Sequence, residues 1–217
     1  MLKFSRWTSG QVDALRQLYP TAPKLDVIAT IKILGPERSW RQIKDKASAL
    51  NLKRLRVRMP IIILNLSEVE KVWLACAIDG EGEIGMQRSK MRRGKGYTFQ
   101  GFVGLSNTHR GFIDYGYGLC GATSEIQSQK RYGNQAPTWR FRVNASSRVR
   151  GILEAILPYL IIKKERAETL LEFYELYDRL NEGKPVYETV HFTPEIEALY
   201  QKLRLLNQRG AERKSTR

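Results

Sequence analysis

Histidine and cysteine are scarce in this chain of 217 residues, which holds only His109, His191, Cys76 and Cys120. Two thiols cannot make a disulfide framework or a four-thiolate zinc site. Two histidines argue against a zinc finger and against a nuclease built on a histidine base. Negative charge is also short, with 22 Asp and Glu against 37 Lys and Arg, a net charge of +15. Such a basic excess favours a polyanionic partner, most simply nucleic acid. Long apolar runs are missing: those around Pro60–Leu64 and Ile156–Ile162 are too short to span a bilayer. No signal-peptide pattern opens the chain. The expectation is an intracellular protein, in cytoplasm or organelle matrix, with no membrane association and no small-molecule cofactor.

The positive charge is uneven. Residues 1–60 hold thirteen Lys and Arg against four Asp and Glu, a net +9, which leaves +6 for the other 157. Three short helices are expected there. Thr8 caps the first, which runs to Tyr19 with Val12, Leu15 and Leu18 inward and is ended by Pro20. The second runs from Lys24 to Leu34, carries Leu25, Ile28, Ala29 and Ile31, and is stopped by Gly35 and Pro36. The third follows Ser39 and buries Trp40, Ile43, Ala47 and Leu50. Its other face shows Arg41, Gln42, Lys44 and Lys46, side chains that can reach base edges or phosphates when a helix lies in the major groove. Three helices with a basic third member, and with Trp7 and Trp40, resemble a Myb-like or homeodomain-like helix-turn-helix. A helical bundle with a solvated basic face is the alternative. Lys53–Arg58 is a basic connector, either tracking phosphates or simply solvated, and Pro60 marks a boundary. The division expected is 1–58, 61–207, and a basic, disordered tail from 208 to 217.

The chain is organised around Leu74–Gly82, Leu-Ala-Cys-Ala-Ile-Asp-Gly-Glu-Gly. Ser67 and Glu70 form a capping box, so a helix starts there and runs to the acids. Trp73, Cys76, Ala77 and Gly80 fall at i, i+3, i+4 and i+7, a mostly small stripe that admits close approach of another backbone. The helix ends in Asp79 and Glu81, the wrong sign of charge for a C-terminus, at about 0.3–1 kcal/mol per group. A bound cation removes that penalty.

Beyond the acids the apolar period changes from 3.6 to 2. Strands are expected at Glu83–Ser89, Tyr97–Asn107, Thr123–Arg131 and Trp139–Val143, with a glycine-rich basic turn at Arg92–Gly96 and a helix over His109–Leu119. Each strand has one apolar and one polar face, although Phe102 breaks the alternation. The polar faces collect Gln87, Gln100, Gln127, Gln129, Arg131, Arg140 and Arg142, whose forked donors suit adenine and guanine edges. Helices resume at Ser147–Leu157, Ile161–Leu180 and Pro194–Leu206. No internal repeat is present, and the Leu74–Gly82 pattern occurs once.

Leu74, Ala75, Ile78, Asp79 and Gly82 are identical to the signature of the LAGLIDADG homing endonucleases, which this stretch resembles. Glu81 is the usual conservative alternative at the second acidic position; Cys76 and Ala77 depart from the pattern. The order helix, strand, strand, helix, strand, strand, helix from Ser67 to Leu180 resembles the domain of that family. So does Leu157-Pro158-Tyr159-Leu160 with Lys163 three positions after the leucine. The resemblance implies an α+β fold with a saddle-shaped antiparallel sheet, here preceded by a small three-helix domain. It implies a catalytic set of Glu81, Asp79, Lys163 and Asn107. Glu81 would be the direct ligand of Mg²⁺ (or Mn²⁺ or another divalent ion), with Asp79 mainly securing the helix end. Lys163 would steady developing charge, and Asn107 would hold water near the metals, its parity in the strand turning it towards the helix tip. A single motif implies a homodimer closed by Trp73, Cys76, Ala77 and Gly80. That dimer would cut both strands of a long, roughly palindromic DNA duplex and leave short 3′ overhangs. The competing expectation is a binder that does not cut, either an intron RNA maturase or a transcription regulator.

Overall fold

The computed structural model describes residues 6–58, 60–91, 96–129 and 136–208. The chain divides into two compact units. The first reaches Arg58 and also takes in Asn181–Thr189; the second runs to Leu180 and resumes at Val190. Residues 92–95 of the turn expected at Arg92–Gly96, Arg131, and residues 209–217 of the expected tail lie outside the described residues.

The first unit holds α1 (Ser9–Leu18), α2 (Lys24–Ile33) and α3 (Trp40–Ala49). Thr8 with Gln11, and Ser39 with Gln42, make reciprocal capping boxes at the starts of α1 and α3. The core comprises Leu15, Tyr19, Val27, Ile31, Ile43 and Ala47. Val12 and Leu18, expected inward, are only half-buried, and the buried partner of Leu15 on α1 is Gln11. Its Nε2 donates to the carbonyls of Ile31 and Pro36, both at 2.9 Å, so a polar side chain ties α1 to the end of α2. Apolar residues of α2 are spread round the helix rather than gathered in one stripe; Val27 and Ile31 face inward while Leu25 is 75% exposed.

The basic connector is not a loose linker. Arg54 Nη1 donates to the carbonyls of Tyr19 at 2.7 Å and Ala22 at 2.6 Å, satisfying groups just beyond α1. The backbone of 54–56 pairs with 183–186: Arg56 N donates to Lys184, Gly183 N to Arg56, and Val186 N to Arg54. From sequence, 181–189 falls in the second domain. Those main-chain bonds place it in the first unit.

The second unit starts with α4 (Glu68–Glu81), followed by β1 (Gly82–Lys90), β2 (Tyr97–Asn107), α5 (Arg110–Leu119), β3 (Gln127–Gln129), β4 (Thr138–Val143), α6 (Ser146–Ile156), α7 (Lys164–Asn181) and α8 (Pro194–Leu206). The strands form one antiparallel sheet in the order β1-β2-β4-β3. Its inner face presents Ile84, Phe99, Val103, Leu105, Phe141 and Val143 to the buried side of α4 (Leu74, Ala75, Ala77 and Ile78) and to apolar residues of α5, α6, α7 and α8. Its other face is left to solvent. The third strand is shorter than expected, since Thr123–Ile126 is irregular and Ser124 Oγ donates instead to the Arg142 carbonyl at 2.8 Å. The seventh helix starts three residues late because the amides of 161–163 are engaged elsewhere.

Gly82 is the pivot between α4 and β1. Its N–H closes the helix on the Ile78 carbonyl. A Cβ at this position would sit 2.6 Å from the Ile78 Cα and 3.1 Å from the Gly104 carbonyl oxygen. Only glycine lets the chain turn from helix into sheet at such close range.

Candidate active site

The ends of α4 and α7 are clasped together. Asp79 Oδ2 accepts from the backbone N–H of Ile161 at 2.7 Å and of Ile162 at 3.1 Å, and Oδ1 accepts from that of Lys163 at 2.8 Å. Lys163 is buried and reaches back, its Nζ donating to the carbonyls of Ile78 at 2.6 Å and Asp79 at 2.7 Å. An ammonium thus sits on the last carbonyls of α4, the end where a cation is favoured. A carboxylate receives the amides that lead into α7, where an anion is favoured.

Beside the clasp opens a cavity of about 610 Å³. Asp79, Glu81 and Lys163 line it, as do Glu83 and Met86 from β1, Ser106 from β2, and Arg166 and Arg204 from α7 and α8. Glu81 is the acid of the motif without a protein hydrogen-bond donor among the described residues. Asn107 does not line this cavity. Its Oδ1 accepts from the His109 N–H at 2.8 Å, and His109 Nδ1 in turn caps α5 on Phe112 N. Ser106, one residue earlier, is the polar side chain that β2 turns towards the cavity, and the alternation of the strand left that position on the polar face.

The residues present suit a divalent ion of the hard, oxygen-seeking kind. One carboxylate faces an open polar cavity, and Mg²⁺ takes one or two carboxylates with water and substrate oxygens as its other ligands. No cluster of three or more His, Cys, Asp or Glu able to cage a metal occurs among the described residues.

The open face of the sheet gathers the candidate readers. Gln87 lies directly opposite Gln100, and Gln127 opposite Arg140; Arg140 and Arg142 pair with Ser106 and Gly104. Register therefore puts Gln87, Gln100, Gln127, Arg140 and Arg142 on one surface. Gln129 of β3 pairs with Thr138 of β4, two residues along from the Gln127–Arg140 pair and so on the same surface, and Arg131 lies outside the described residues. Several of these side chains are internally engaged. Arg140 shares Gln127 Oε1 through Nε at 3.2 Å and Nη2 at 3.1 Å. Arg142 makes a bidentate pair with Glu83, at 2.9 Å and 2.8 Å to Oε1 and 3.0 Å to Oε2. Its guanidinium also lies 3.8 Å from the centre of the Phe102 ring. Phe102, the residue out of step in β2, rests across Gly85, where a Cβ would be 2.5 Å from the ring. It is the platform on which Arg142 is held.

In the first unit Arg41, Gln42 and Lys44 are exposed on α3 and Lys46 is half-buried. Gln42 Oε1 is engaged by Ser39 in the capping box. On α4 the expected small stripe divides. Ala77 is buried in the core, and Trp73 packs on Phe112 and Tyr115 at ring distances of 5.1 and 4.6 Å. Cys76 and Gly80 are exposed, in line with exposed Val69 and Val72.

No protein-family model matches the chain, and no curated protein matches it in sequence. Solved structures do. An archaeal intron-encoded homing endonuclease, I-Vdi141I, complexed with DNA, superposes with a TM-score of 0.51 at 13% identity over 66% of this chain and 87% of that one. The group I intron-encoded homing endonuclease I-CeuI, also complexed with DNA, gives 0.49 at 14% identity over 97% of this chain and 92% of that one. The homing endonuclease I-CvuI, in complex with a DNA target, gives 0.49 at 20% identity over 65% and 84%. At these identities the likeness is one of architecture: the mixed α/antiparallel-β second unit has the fold of the LAGLIDADG homing endonucleases.

Proposed function

We propose that this chain is a DNA endonuclease that hydrolyses phosphodiesters with a divalent metal, working as a homodimer on a long, roughly palindromic duplex. The observation that carries the reading is the position of Glu81. It is an acid with no protein partner among the described residues, at the tip of α4, lining a polar cavity next to a sheet face of amides and arginines.

Glu81 is the proposed metal ligand. Mg²⁺ bound there would supply a water of lowered pKa and charge neutralisation on the phosphate. Asp79 fixes the end of α4 by holding the three amides, so Glu81 is presented on a rigid turn. Lys163 adds positive potential at the same helix end. The open sheet face lies along the major groove, with Gln87, Gln100, Gln127, Arg140 and Arg142 reading bases. The three-helix unit extends the footprint through Arg41, Gln42, Lys44 and Lys46. The exposed line Val69, Val72, Cys76 and Gly80 is the proposed contact with a second copy. Two copies bring one Glu81 to each DNA strand.

The test is cleavage of a randomised-site duplex library with Mg²⁺, comparing wild type with Glu81→Gln. Discrete double-strand breaks by wild type, and selective binding without cleavage by the variant, support the reading and identify the target. If neither protein cuts while both retain one selected site, the chain is a binder on a nuclease fold.

A further inference from the structure

The guanidiniums of two arginines on the wall of the Glu81 cavity hold nothing together in the fold. Arg166 comes from the first turn of α7, three residues after Lys163, and Arg204 from the last turn of α8. Neither guanidinium makes a hydrogen bond or ion pair among the described residues. The other charged groups lining the cavity are engaged: Glu83 by Arg142, Lys163 by helix carbonyls, Asp79 by amides. Glu81 is the exception. The unengaged charges of the cavity are therefore one carboxylate and two guanidiniums, drawn from three separate helices. Arg166 also carries the wrong sign for the start of a helix, as Glu81 does for the end of one. A bound anion would relieve the first, as a bound cation would relieve the second.

We infer that Arg166 and Arg204 are catalytic residues that grip the phosphate being hydrolysed. This rests on reading the Glu81 cavity as a hydrolytic site. A guanidinium fork matches two oxygens of a phosphate and keeps its charge at any working pH. In the reaction a water oxygen bonds to phosphorus and the bond from phosphorus to one sugar oxygen breaks. That sugar oxygen leaves as a hydroxyl carrying one proton of the water, and the phosphate monoester keeps the rest. Negative charge on the non-bridging oxygens rises on the way to the transition state. Two guanidiniums on the wall of the same cavity oppose that rise where Glu81 cannot. The sheet arginines differ in kind: they lie on the open face and serve binding.

The experiment uses the full-length protein on the duplex selected from the library. Arg166→Gln, Arg204→Gln, the double variant and Arg166→Lys are compared with wild type for duplex affinity in Ca²⁺ and for single-turnover cleavage in Mg²⁺. Each single Gln variant is expected to cut about 100-fold more slowly. Affinity should stay within about threefold of wild type, and the lysine variant should recover part of the rate. Cleavage at the wild-type rate by both Gln variants, with Glu81→Gln still inactive, overturns this inference and leaves the endonuclease reading intact. So does a rate loss wholly matched by lost affinity. A wild-type protein that cuts with no divalent ion removes both.

Discussion

Lys163 and Asp79 each satisfy the other's main chain: the Lys163 ammonium donates to the Asp79 carbonyl at 2.7 Å, while the Asp79 carboxylate accepts the Lys163 N–H at 2.8 Å. Any substitution at either residue acts on the joint between α4 and α7 as well as on chemistry beside it.

Lys163→Met is expected to lower the free energy of unfolding by about 1–3 kcal/mol, since it strands two helix carbonyls in a buried position. Glu81→Gln, by contrast, is expected to leave stability within about 0.5 kcal/mol of wild type while removing cleavage. Urea unfolding of both variants separates the two roles.

Asp79→Asn keeps the shape but exchanges charge-assisted acceptors for a neutral amide, half of which is a donor. A loss of about 1.5–3 kcal/mol is expected. The same urea series measures it, and a variant as stable as wild type would mean that the three amides find other acceptors.

Gly82→Ala forces a methyl against the Ile78 backbone at a position with no flexible neighbour. The expected loss is about 1–3 kcal/mol or more. Far-UV circular dichroism against temperature would show it as a lowered Tm.

Glu83→Gln releases Arg142 from its bidentate partner. Both side chains are partly exposed, at 37% and 46%, so the pair contributes at most about 1 kcal/mol and stability should hardly move. Duplex affinity should rise at each salt concentration, because the guanidinium is freed for a base edge. Filter binding at several salt concentrations decides it.

The two thiols should behave oppositely. Burial pushes the Cys120 thiol up to about 12, while Cys76 is exposed on α4. At pH 8 a thiol reagent should titrate Cys76 rapidly and leave Cys120 untouched until the chain unfolds. If the proposed dimer forms, Cys76 becomes protected as protein concentration rises. The raised thiol stabilises the fold below its ordinary value of 9.0, and that contribution is lost as pH climbs from there towards 12.

Much of the fold was legible because local signals agreed with one another. The boxes Thr8/Gln11, Ser39/Gln42 and Ser67/Glu70 mark helix starts that tertiary contacts do not move. Alternation in β1, β2 and β4 placed the amides and arginines on one face, and register kept them there. Where sequence misled, a long-range hydrogen bond had displaced a local preference. Ile161–Lys163 reads as the first residues of the helix that follows, but its amides bond to Asp79, 82 to 84 residues away. Gln11 looks like a surface residue of α1 until the Ile31 and Pro36 carbonyls are brought beside it. Arg166 could have been noticed because it follows Lys163 by three residues. Arg204 could not, because nothing local in α8 announces the cavity that it lines.

The segment 181–189, which completes the first unit, has a consequence for the order of events on the ribosome. Residues 6–58 are made before the sheet unit, yet the main-chain partner of 54–56 is synthesised more than a hundred residues later. This unit is thus begun before the sheet unit and finished only after residues 59–180 have been made. For the same reason it is not a detachable cassette: a chain cut at residue 58 would leave Arg54, Leu55 and Arg56 without their main-chain partners at 183–186.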